Sequence, residues 1–161
     1  MSEIALRLAR LGDAPRIASL SRTLIEDGLP WSWIPRRVAN YMRSSEHLTV
    51  IAADGGVLAG FVLAQFGNRA VHVALLGVAP AYQRRGLGKQ LVAWVEESAS
   101  VAGLFLMQLE VRAGNQQARR FYASLGYRET IRSAGYYSGV EDAIRFERDL
   151  AVGSPKLRQS L

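Results

Sequence analysis

The sequence predicts an α/β protein built on a single mixed, mostly antiparallel central sheet of about six or seven strands, with about four helices on both faces. Three observations predict this class. Short apolar runs that alternate with period two are interleaved with segments whose apolar residues recur every three or four positions. Their order along the chain is β-α-α-β-β-β-α-β-α-β-β. A chain of 161 residues is long enough for one buried core and short for two.

The first part of the chain carries one strand and two helices. Residues 4–8 alternate as a strand, and Asp13 with Pro15 predicts a helix start, with Asp13 as the N-cap. We expect this helix to end at residues 28–30, where glycine and proline interrupt the pattern. A second helix is predicted over residues 36–43.

Three strands follow in the middle of the chain. Residues 48–53 and 57–66 are joined by Asp-Gly-Gly at 54–56, which predicts a hairpin turn. Residues 71–78 form the next strand. This strand is apolar on both faces, which predicts a central position in the sheet.

The last part of the chain alternates helix and strand again. A third helix follows the central strand, and apolar residues alternate over 105–111 as a further strand. Asn115 is predicted to cap a fourth helix that ends at Gly126. Residues 127–132 and 143–150 are predicted to form a final hairpin across a longer loop.

Apolar periodicity fades after residue 150. We therefore expect one domain over residues 1–150 and a flexible C-terminal tail over residues 151–161. No internal repeat is visible.

Composition excludes several classes of protein and site. The absence of cysteine excludes disulfides, thiolate metal sites and a cysteine nucleophile. The two histidines are far apart, so we expect no metal. No stretch approaches 18 consecutive apolar residues, and the first residues lack the pattern of a signal peptide. We therefore expect a cytoplasmic protein with no membrane partner.

The chain is basic, with a net charge of +6. A basic chain is suited to nucleic acid or to a polyphosphate ligand. The arginines and lysines are spread along the whole sequence, and no nucleic-acid recognition motif is visible. We therefore expect no nucleic-acid partner.

The most informative run spans residues 76–89, where an apolar strand stops at Pro80 and a basic, glycine-containing turn leads into a helix. The amide N–H groups at a helix start point outward, and the helix dipole adds positive potential there. The glycines let the backbone approach a ligand closely, and the cationic side chains supply charge. These residues are Arg84, Arg85, Gly86, Gly88 and Lys89. The arrangement suits the diphosphate of a cofactor.

Residues 83–88 match the Q/R-x-x-G-x-G/A signature of the GNAT superfamily of N-acetyltransferases, and residues 109–127 look like the second half of the acetyl-CoA site of that superfamily. The resemblance covers roughly residues 4–150 and implies the GNAT fold, with acetyl-CoA as co-substrate. The cofactor-binding residues that it implies are Leu76, Gly77, Val78, Gln83, Arg84, Arg85, Gly86, Leu87, Gly88, Lys89 and Asn115.

Residues 109–115 closely resemble the same run in the bacterial ribosomal-protein alanine N-acetyltransferases. This resemblance implies that Glu110 is the base and Tyr122 the general acid, and the backbone N–H of Val78 is our candidate for polarising the acetyl oxygen. Alternatives stay open. His72 or water could be the base, Glu110 could be an ordinary glutamate beside Arg112, and Tyr122 could be a packed core tyrosine.

An N-acetyltransferase is therefore expected, and a protein or peptide N-terminal α-amine is the expected acceptor. An α-amine has a pKa near 7.7–8.0, against about 10.4 for lysine, so it is more easily neutralised at pH 7. A small amine such as a polyamine or an aminoglycoside is an alternative acceptor, and a non-catalytic acyl-CoA sensor is an alternative function. The protein is expected to be a monomer or a homodimer.

Overall fold

The computed structural model describes residues 3–151, and its elements follow the order predicted from the sequence. The strands are β1 Ile4–Leu8, β2 His47–Asp54, β3 Val57–Phe66, β4 Ala70–Val78, β5 Leu106–Arg112, β6 Arg128–Tyr137 and β7 Glu141–Asp149. The α-helices are α1 Ala14–Leu24, α2 Pro35–Met42, α3 Leu87–Val101 and α4 Gln116–Ser124. Within the described range, no helix has the length and apolar character needed to cross a membrane.

The strands form a seven-stranded sheet in the order β1-β2-β3-β4-β5-β7-β6. β4 is the fourth of the seven, as its two apolar faces predicted. β4 and β5 pair in parallel, with Val73 opposite Leu109, and α3 supplies the crossover that a parallel pair needs. The pairs β1–β2, β2–β3, β5–β7 and β6–β7 are antiparallel. The predicted class, a mixed and mostly antiparallel sheet with four helices, is confirmed.

The described chain divides into two compact units. The first unit holds residues 3–66 and 74–95, and the second holds residues 67–73 and 96–151. β4 and α3 contribute residues to both units. A single domain over residues 1–150 stays a prediction, and the predicted tail over 151–161 lies outside the described residues except for Ala151.

In the first unit, the apolar faces of α1 and α2 pack together with β2 and β3. Ile17 of α1, Val38 of α2, Ile51 of β2 and Phe61 of β3 are completely buried in this core. Burying a side chain of this size contributes about 1.5–3 kcal/mol. Because the residues that line this core recur at helical spacing in α1 and α2 and at alternate positions in β2 and β3, the sequence could predict these helices and strands.

Asp13 immediately precedes α1 but does not cap it. Its backbone is already helical, and its carboxylate accepts hydrogen bonds from Arg7 at 2.9 Å, from Arg16 at 2.7 Å and from the N–H of Arg10 at 2.8 Å. Burial by itself raises the pKa of Asp13, but these donors outweigh it and lower the pKa to about 2. The capping prediction was wrong because the buried carboxylate is already used by two arginines and a backbone N–H group.

The first helix, α1, ends at Leu24, earlier than the predicted end at residues 28–30. The reason is the buried Glu26, whose carboxylate accepts hydrogen bonds from the N–H of Ser32 at 2.9 Å, from the hydroxyl of Ser32 at 2.6 Å and from the N–H of Trp33 at 2.8 Å. A buried carboxylate needs donors. The chain must leave the helix before Glu26 so that the following loop can turn back and supply them.

In the second unit, every other residue of β5 is buried, as the alternation predicted. Met107, Leu109 and Val111 point into this core, together with Phe146 of β7. Because the buried positions alternate, the intervening residues of β5 share the opposite, more polar face. Glu110 is one of these.

The hairpin of β6 and β7 is tighter than predicted. The strands run to Tyr137 and resume at Glu141, so the expected longer loop is a three-residue turn. Ser138 and Gly139 in this turn have positive φ values of 54° and 71°. Left-handed conformations of this kind reverse the chain within a few residues, which small and flexible residues permit.

Candidate active site

The end of β4 is packed so tightly that one position requires glycine. Burial alternates along the strand, so Leu75 and Gly77 are buried whereas Leu76 and Val78 are half-buried. A Cβ atom on Gly77 would lie only 2.8 Å from Cε1 of Phe61. Packing therefore explains why this residue is glycine, and its role beside the cofactor stays a prediction.

The turn between Pro80 and α3 has an unusual backbone. Arg84 and Gly86 both have positive φ values, 64° and 80°, and such a value is uncommon for a residue other than glycine. The side-chain amide of Gln83 donates a hydrogen bond to the carbonyl oxygen of Val78 at 3.0 Å and so ties the turn to the end of β4. Backbone strain of this kind is typical of ligand-binding turns.

The start of α3 presents backbone N–H groups. The first helical hydrogen bond runs from the N–H of Gln90 to the carbonyl oxygen of Gly86 at 3.0 Å. Helix geometry therefore leaves the N–H groups of Leu87, Gly88 and Lys89 without a helical partner. The side chain of Leu87 is buried and anchors this first turn. Together with the helix dipole, these N–H groups favour an anion.

The same turn carries only positive charge. Arg84, Arg85 and Lys89 are exposed, and residues 79–95 contain no aspartate or glutamate. Guanidinium groups bind phosphate oxygens through charge-assisted hydrogen bonds. The positive side chains of the turn are therefore suited to the oxygens of a diphosphate. Residues 3–151 contain no cluster of histidine and carboxylate side chains that could hold a metal ion.

Glu110 of β5 carries a buried carboxylate, and its side chain is only 8% exposed. Its Oε1 atom accepts a hydrogen bond from Nε2 of His72 at 2.7 Å and one from the hydroxyl of Tyr136 at 3.3 Å. Its Oε2 atom accepts one from Nε of Arg145 at 3.3 Å. Donors from β4, β6 and β7 therefore converge on a single carboxylate.

These donors keep Glu110 ionised. Burial by itself raises the pKa of this carboxyl, but the hydrogen bond and charge of His72, the charge of Arg145 and the hydroxyl of Tyr136 outweigh it and lower the pKa below its ordinary value. An ionised carboxylate only accepts hydrogen bonds. Nε2 of His72 therefore carries a proton, and in the neutral imidazole Nδ1 is the nitrogen that can accept one.

The neighbours of Glu110 differ from those that the sequence suggested. Arg112, two positions away, donates to Glu141 at 2.6 Å, whereas Glu110 lies directly opposite Arg145 in the pairing of β5 with β7. Directly opposed residues of paired strands lie closer together than residues two apart on one strand. The contacts of Arg145 and Tyr136 were missed, and the register of β5 against β7 is the signal that would have found Arg145.

Tyr122 of α4 lies in an aromatic cluster. Its ring centroid is 5.0 Å from that of Phe121, 5.5 Å from that of Tyr127 and 6.0 Å from that of Phe146. Burial and the nearby Tyr137 raise the pKa of Tyr122, so the hydroxyl is protonated at neutral pH. The hydroxyl has a proton to donate, but the raised pKa makes it a weaker acid than a free tyrosine, and the packing fits a core residue. The acid role of Tyr122 stays a prediction.

Asn115 caps α4 as the sequence predicted. Its Oδ1 atom accepts a hydrogen bond from the N–H of Ala118 at 3.0 Å. Capping explains this residue without a ligand, so its contact with the cofactor stays a prediction. The structure places residues 76–78 and 83–89 in the first unit and Asn115, Glu110 and Tyr122 in the second.

Comparison with known proteins identifies the family. Residues 17–127 match the model of the acetyltransferase (GNAT) family. The chain belongs to this family. An N-alpha-acetyltransferase RimI from Mycobacterium tuberculosis is 33% identical over 144 residues, which is 85% of this chain and 87% of that protein.

Two further comparisons agree. The ribosomal protein bS18-alanine N-acetyltransferase of Escherichia coli is 31% identical over 118 residues, 71% of this chain and 78% of that protein. The crystal structure of the ribosomal-protein-S18-alanine N-acetyltransferase from Escherichia coli has a TM-score of 0.80 and 26% identity, covering 96% of this chain and 99% of that chain. The chain is an enzyme of this family, an N-acetyltransferase that takes its acetyl group from acetyl-CoA.

Replacing Gly86 with valine should weaken acetyl-CoA binding about tenfold or more. A β-branched residue resists a φ of 80° and blocks close approach of the diphosphate to the backbone. Apart from its two chain neighbours, no atom of residues 3–151 lies within 4 Å of a Cβ at this position, so a clash with that part of the protein would not explain the loss. Isothermal titration calorimetry with acetyl-CoA measures the effect.

Gly103→Val is the matched control, because Gly103 has a φ of 79° and equally open space for a Cβ. It should carry the same backbone cost and bind acetyl-CoA normally. Unchanged affinity in a folded Gly86→Val protein would show that the diphosphate binds elsewhere.

Proposed function

We propose that this enzyme acetylates the α-amine of a protein or peptide N-terminus, with Glu110 as the base and Tyr122 as the general acid. The observation that carries this proposal is the buried, ionised carboxylate of Glu110 in contact with His72. A carboxylate with a lowered pKa is a weak base. It therefore suits an acceptor amine whose own pKa lies near neutral pH, as that of an α-amine does. The names of the two relatives, an N-alpha-acetyltransferase and an alanine N-acetyltransferase, support the same acceptor class.

Forming the neutral, reactive amine at pH 7 costs less free energy for an α-amine than for a lysine side chain. At pH 7 the neutral form of an α-amine costs about 1.4 kcal/mol, because its pKa is near 7.7–8.0. The neutral form of a lysine side chain costs about 4.6 kcal/mol, because its pKa is about 10.4. The difference corresponds to roughly 200-fold in the fraction of reactive amine. A base as weak as Glu110 does little to remove this difference.

The reaction requires three proton movements. One proton of the ammonium passes to Glu110, directly or through water, which leaves the neutral amine. The amine nitrogen then bonds to the acetyl carbon while the bond from that carbon to the thioester sulfur breaks. The nitrogen loses its second proton to solvent as the amide forms, and the phenol of Tyr122 supplies a proton to the departing thiolate. The backbone N–H of Val78 is our candidate for stabilising the negative oxygen that forms on the acetyl carbon.

An acceptor comparison tests the proposal. Two peptides that differ at one internal residue are compared at pH 7: the first has a free N-terminus and no lysine, and the second has a blocked N-terminus and a lysine at that internal position. CoA release should show kcat/KM higher by about 10²-fold for the free N-terminus, as the neutral fractions require. Spermidine and an aminoglycoside complete the series. A small amine that outperforms every free N-terminus would overturn the proposed acceptor, and no CoA release with any amine would favour a sensor.

Glu110→Gln should lower turnover most at low pH, where neutral amine is scarce. Glutamine keeps the shape and an acceptor oxygen for His72, but it cannot take up the ammonium proton. Because the pKa of Glu110 is lowered, the wild-type carboxylate stays ionised from pH 6 to 9, so the pH dependence in this range comes from the amine. Turnover should fall by about 10²–10⁴-fold at pH 6 and less at pH 9, with little change in acetyl-CoA affinity.

His72→Phe separates the alternatives for the base. If His72→Phe abolishes turnover while Glu110→Gln leaves the pH–rate profile unchanged, the imidazole is the base. If neither variant changes the profile, water takes the proton. Either result removes Glu110 from the role proposed here.

Tyr122→Phe should slow acetyl transfer by about 10²–10⁴-fold at saturating acetyl-CoA, because a general acid is lost. The phenyl ring that packs against Phe121 and Phe146 is kept, so thermal stability should change little. Tyr127→Phe is the matched control. It removes a hydroxyl that donates to Glu96 at 2.8 Å and should cost stability but not turnover. If Tyr122→Phe melts and turns over like wild type, Tyr122 is a packing residue only.

A further inference from the structure

Tyr82 connects the cofactor turn to the hairpin between β2 and β3. It is the last residue of a short 3-10 helix, Pro80–Tyr82, and its hydroxyl donates a hydrogen bond to Oδ2 of Asp54 at 2.6 Å. Asp54 is the last residue of β2. The ring of Tyr82 packs against a small buried cluster that includes Leu87, the first residue of α3. Both ends of the tyrosine side chain are therefore fixed within the first unit.

Arg85 of the cofactor turn stacks on this fixed ring. The guanidinium carbon lies 5.4 Å from the centroid of the Tyr82 ring, within the range of a cation–π contact. The hydrogen bond to Asp54 is the main reason that the pKa of Tyr82 is raised, and the charge of Arg85 opposes the rise. Tyr82 therefore stays a protonated donor at neutral pH, and the guanidinium group has a defined place before any ligand binds.

The hairpin that carries Asp54 is itself anchored. Nη1 of Arg16 donates to the carbonyl oxygen of Gly56 at 2.5 Å, and Nη2 of Arg16 donates to the buried carboxylate of Asp13 at 2.7 Å. A continuous set of contacts thus runs from the start of α1 to the hairpin and on to Tyr82. Arg16 therefore holds the hairpin in place through Gly56, and Asp54 of the same hairpin accepts the hydrogen bond from Tyr82.

We propose that Tyr82 and Asp54 are positioning residues for acetyl-CoA binding: their hydrogen bond holds Arg85 and the adjacent strained backbone of Arg84 in the conformation that receives the diphosphate. The proposal rests on the cofactor site assigned above to residues 83–89. When a ligand must immobilise a long side chain as it binds, affinity falls roughly threefold to tenfold. A side chain that is already held in place in the free protein avoids that loss.

A carboxylate near a binding site for an anion would oppose the ligand if its charge were its only contribution. The hydrogen bond from Tyr82 gives Asp54 a different role, that of an acceptor that fixes a donor. The hydrogen bond requires an acceptor oxygen at residue 54 and does not require a negative charge there. Asparagine keeps the oxygen and removes the charge, whereas alanine removes both.

The test measures the Kd of acetyl-CoA by calorimetry, together with KM and kcat, for variants of the whole chain. Tyr82→Phe and Asp54→Ala should each raise Kd and KM for acetyl-CoA about tenfold, the effect of a lost hydrogen bond to a charged group, and leave kcat at saturation unchanged. Asp54→Asn should bind acetyl-CoA as wild type does. The double variant Tyr82→Phe/Asp54→Ala should bind no more weakly than either single variant, because both remove the same contact.

Two controls separate this proposal from the cofactor site on which it depends. Tyr41→Phe removes a buried hydroxyl that has no hydrogen-bond partner among the described residues, and it should leave Kd and KM unchanged. Arg85→Ala should weaken acetyl-CoA binding at least tenfold if the turn binds the diphosphate. An unchanged Kd for folded Arg85→Ala would show that the cofactor site itself is misplaced.

The positioning role has its own contrary outcomes. If Arg85→Ala loses affinity but Tyr82→Phe and Asp54→Ala bind normally, the site stands and the positioning role is wrong. If Asp54→Asn weakens binding as much as Asp54→Ala, the hydrogen bond is not the cause and the proposal is also wrong. Lower melting temperatures with unchanged Kd would identify the pair as structural only. If one single variant fails to fold, the other carries the same comparison.

Discussion

An ionised carboxylate inside a β-sheet must be surrounded by donors, and the second unit is arranged around this need at Glu110. A carboxylate this buried is costly to leave without donors. The pairing of β5 with β7 places Arg145 opposite Glu110, and β6 extends far enough to bring Tyr136 to the same carboxylate. His72 completes the set from β4. The tight turn between β6 and β7 follows from the same requirement, since a long loop there would remove Tyr136 from the strand.

Buried acids organise the first unit in the same way. Asp13 gathers Arg7 and Arg16, and Glu26 draws the N–H groups of Ser32 and Trp33 back over the end of α1. In both cases the acid overrides the local signal, so that Asp13 does not cap its helix and the helix before Glu26 ends early. The hydrogen bonds of a buried carboxylate are stronger than the preference of a few residues for one more helical turn.

Features that depend on residues close together in the sequence could be predicted. Features that depend on contacts between residues far apart in the sequence were missed. Asn115 caps α4 through an N–H group three residues away, and the central position of β4 follows from its own apolar residues, so both could be predicted. Glu110 and Arg145 are 35 residues apart, and only the register of two strands brings them together. The positive φ of Arg84 is a third kind of case. A glycine in a sequence indicates that a positive φ is possible at that position, whereas an arginine gives no such indication.

The proposed role of Glu110 as the base has a consequence for acceptor choice. Moving a proton from an α-ammonium group to a glutamate of ordinary pKa is uphill by about 5 kcal/mol, and from a lysine ammonium group by about 8 kcal/mol. The lowered pKa of Glu110 makes both steps steeper by the same amount. A turnover of about 10 per second corresponds to a total barrier of about 16 kcal/mol. The proton step from an α-amine leaves most of that barrier for attack on the thioester, whereas the step from lysine consumes half of it. The preference for a weakly basic amine therefore comes from the pKa values of the amines themselves, and the donors around Glu110 leave that difference unchanged.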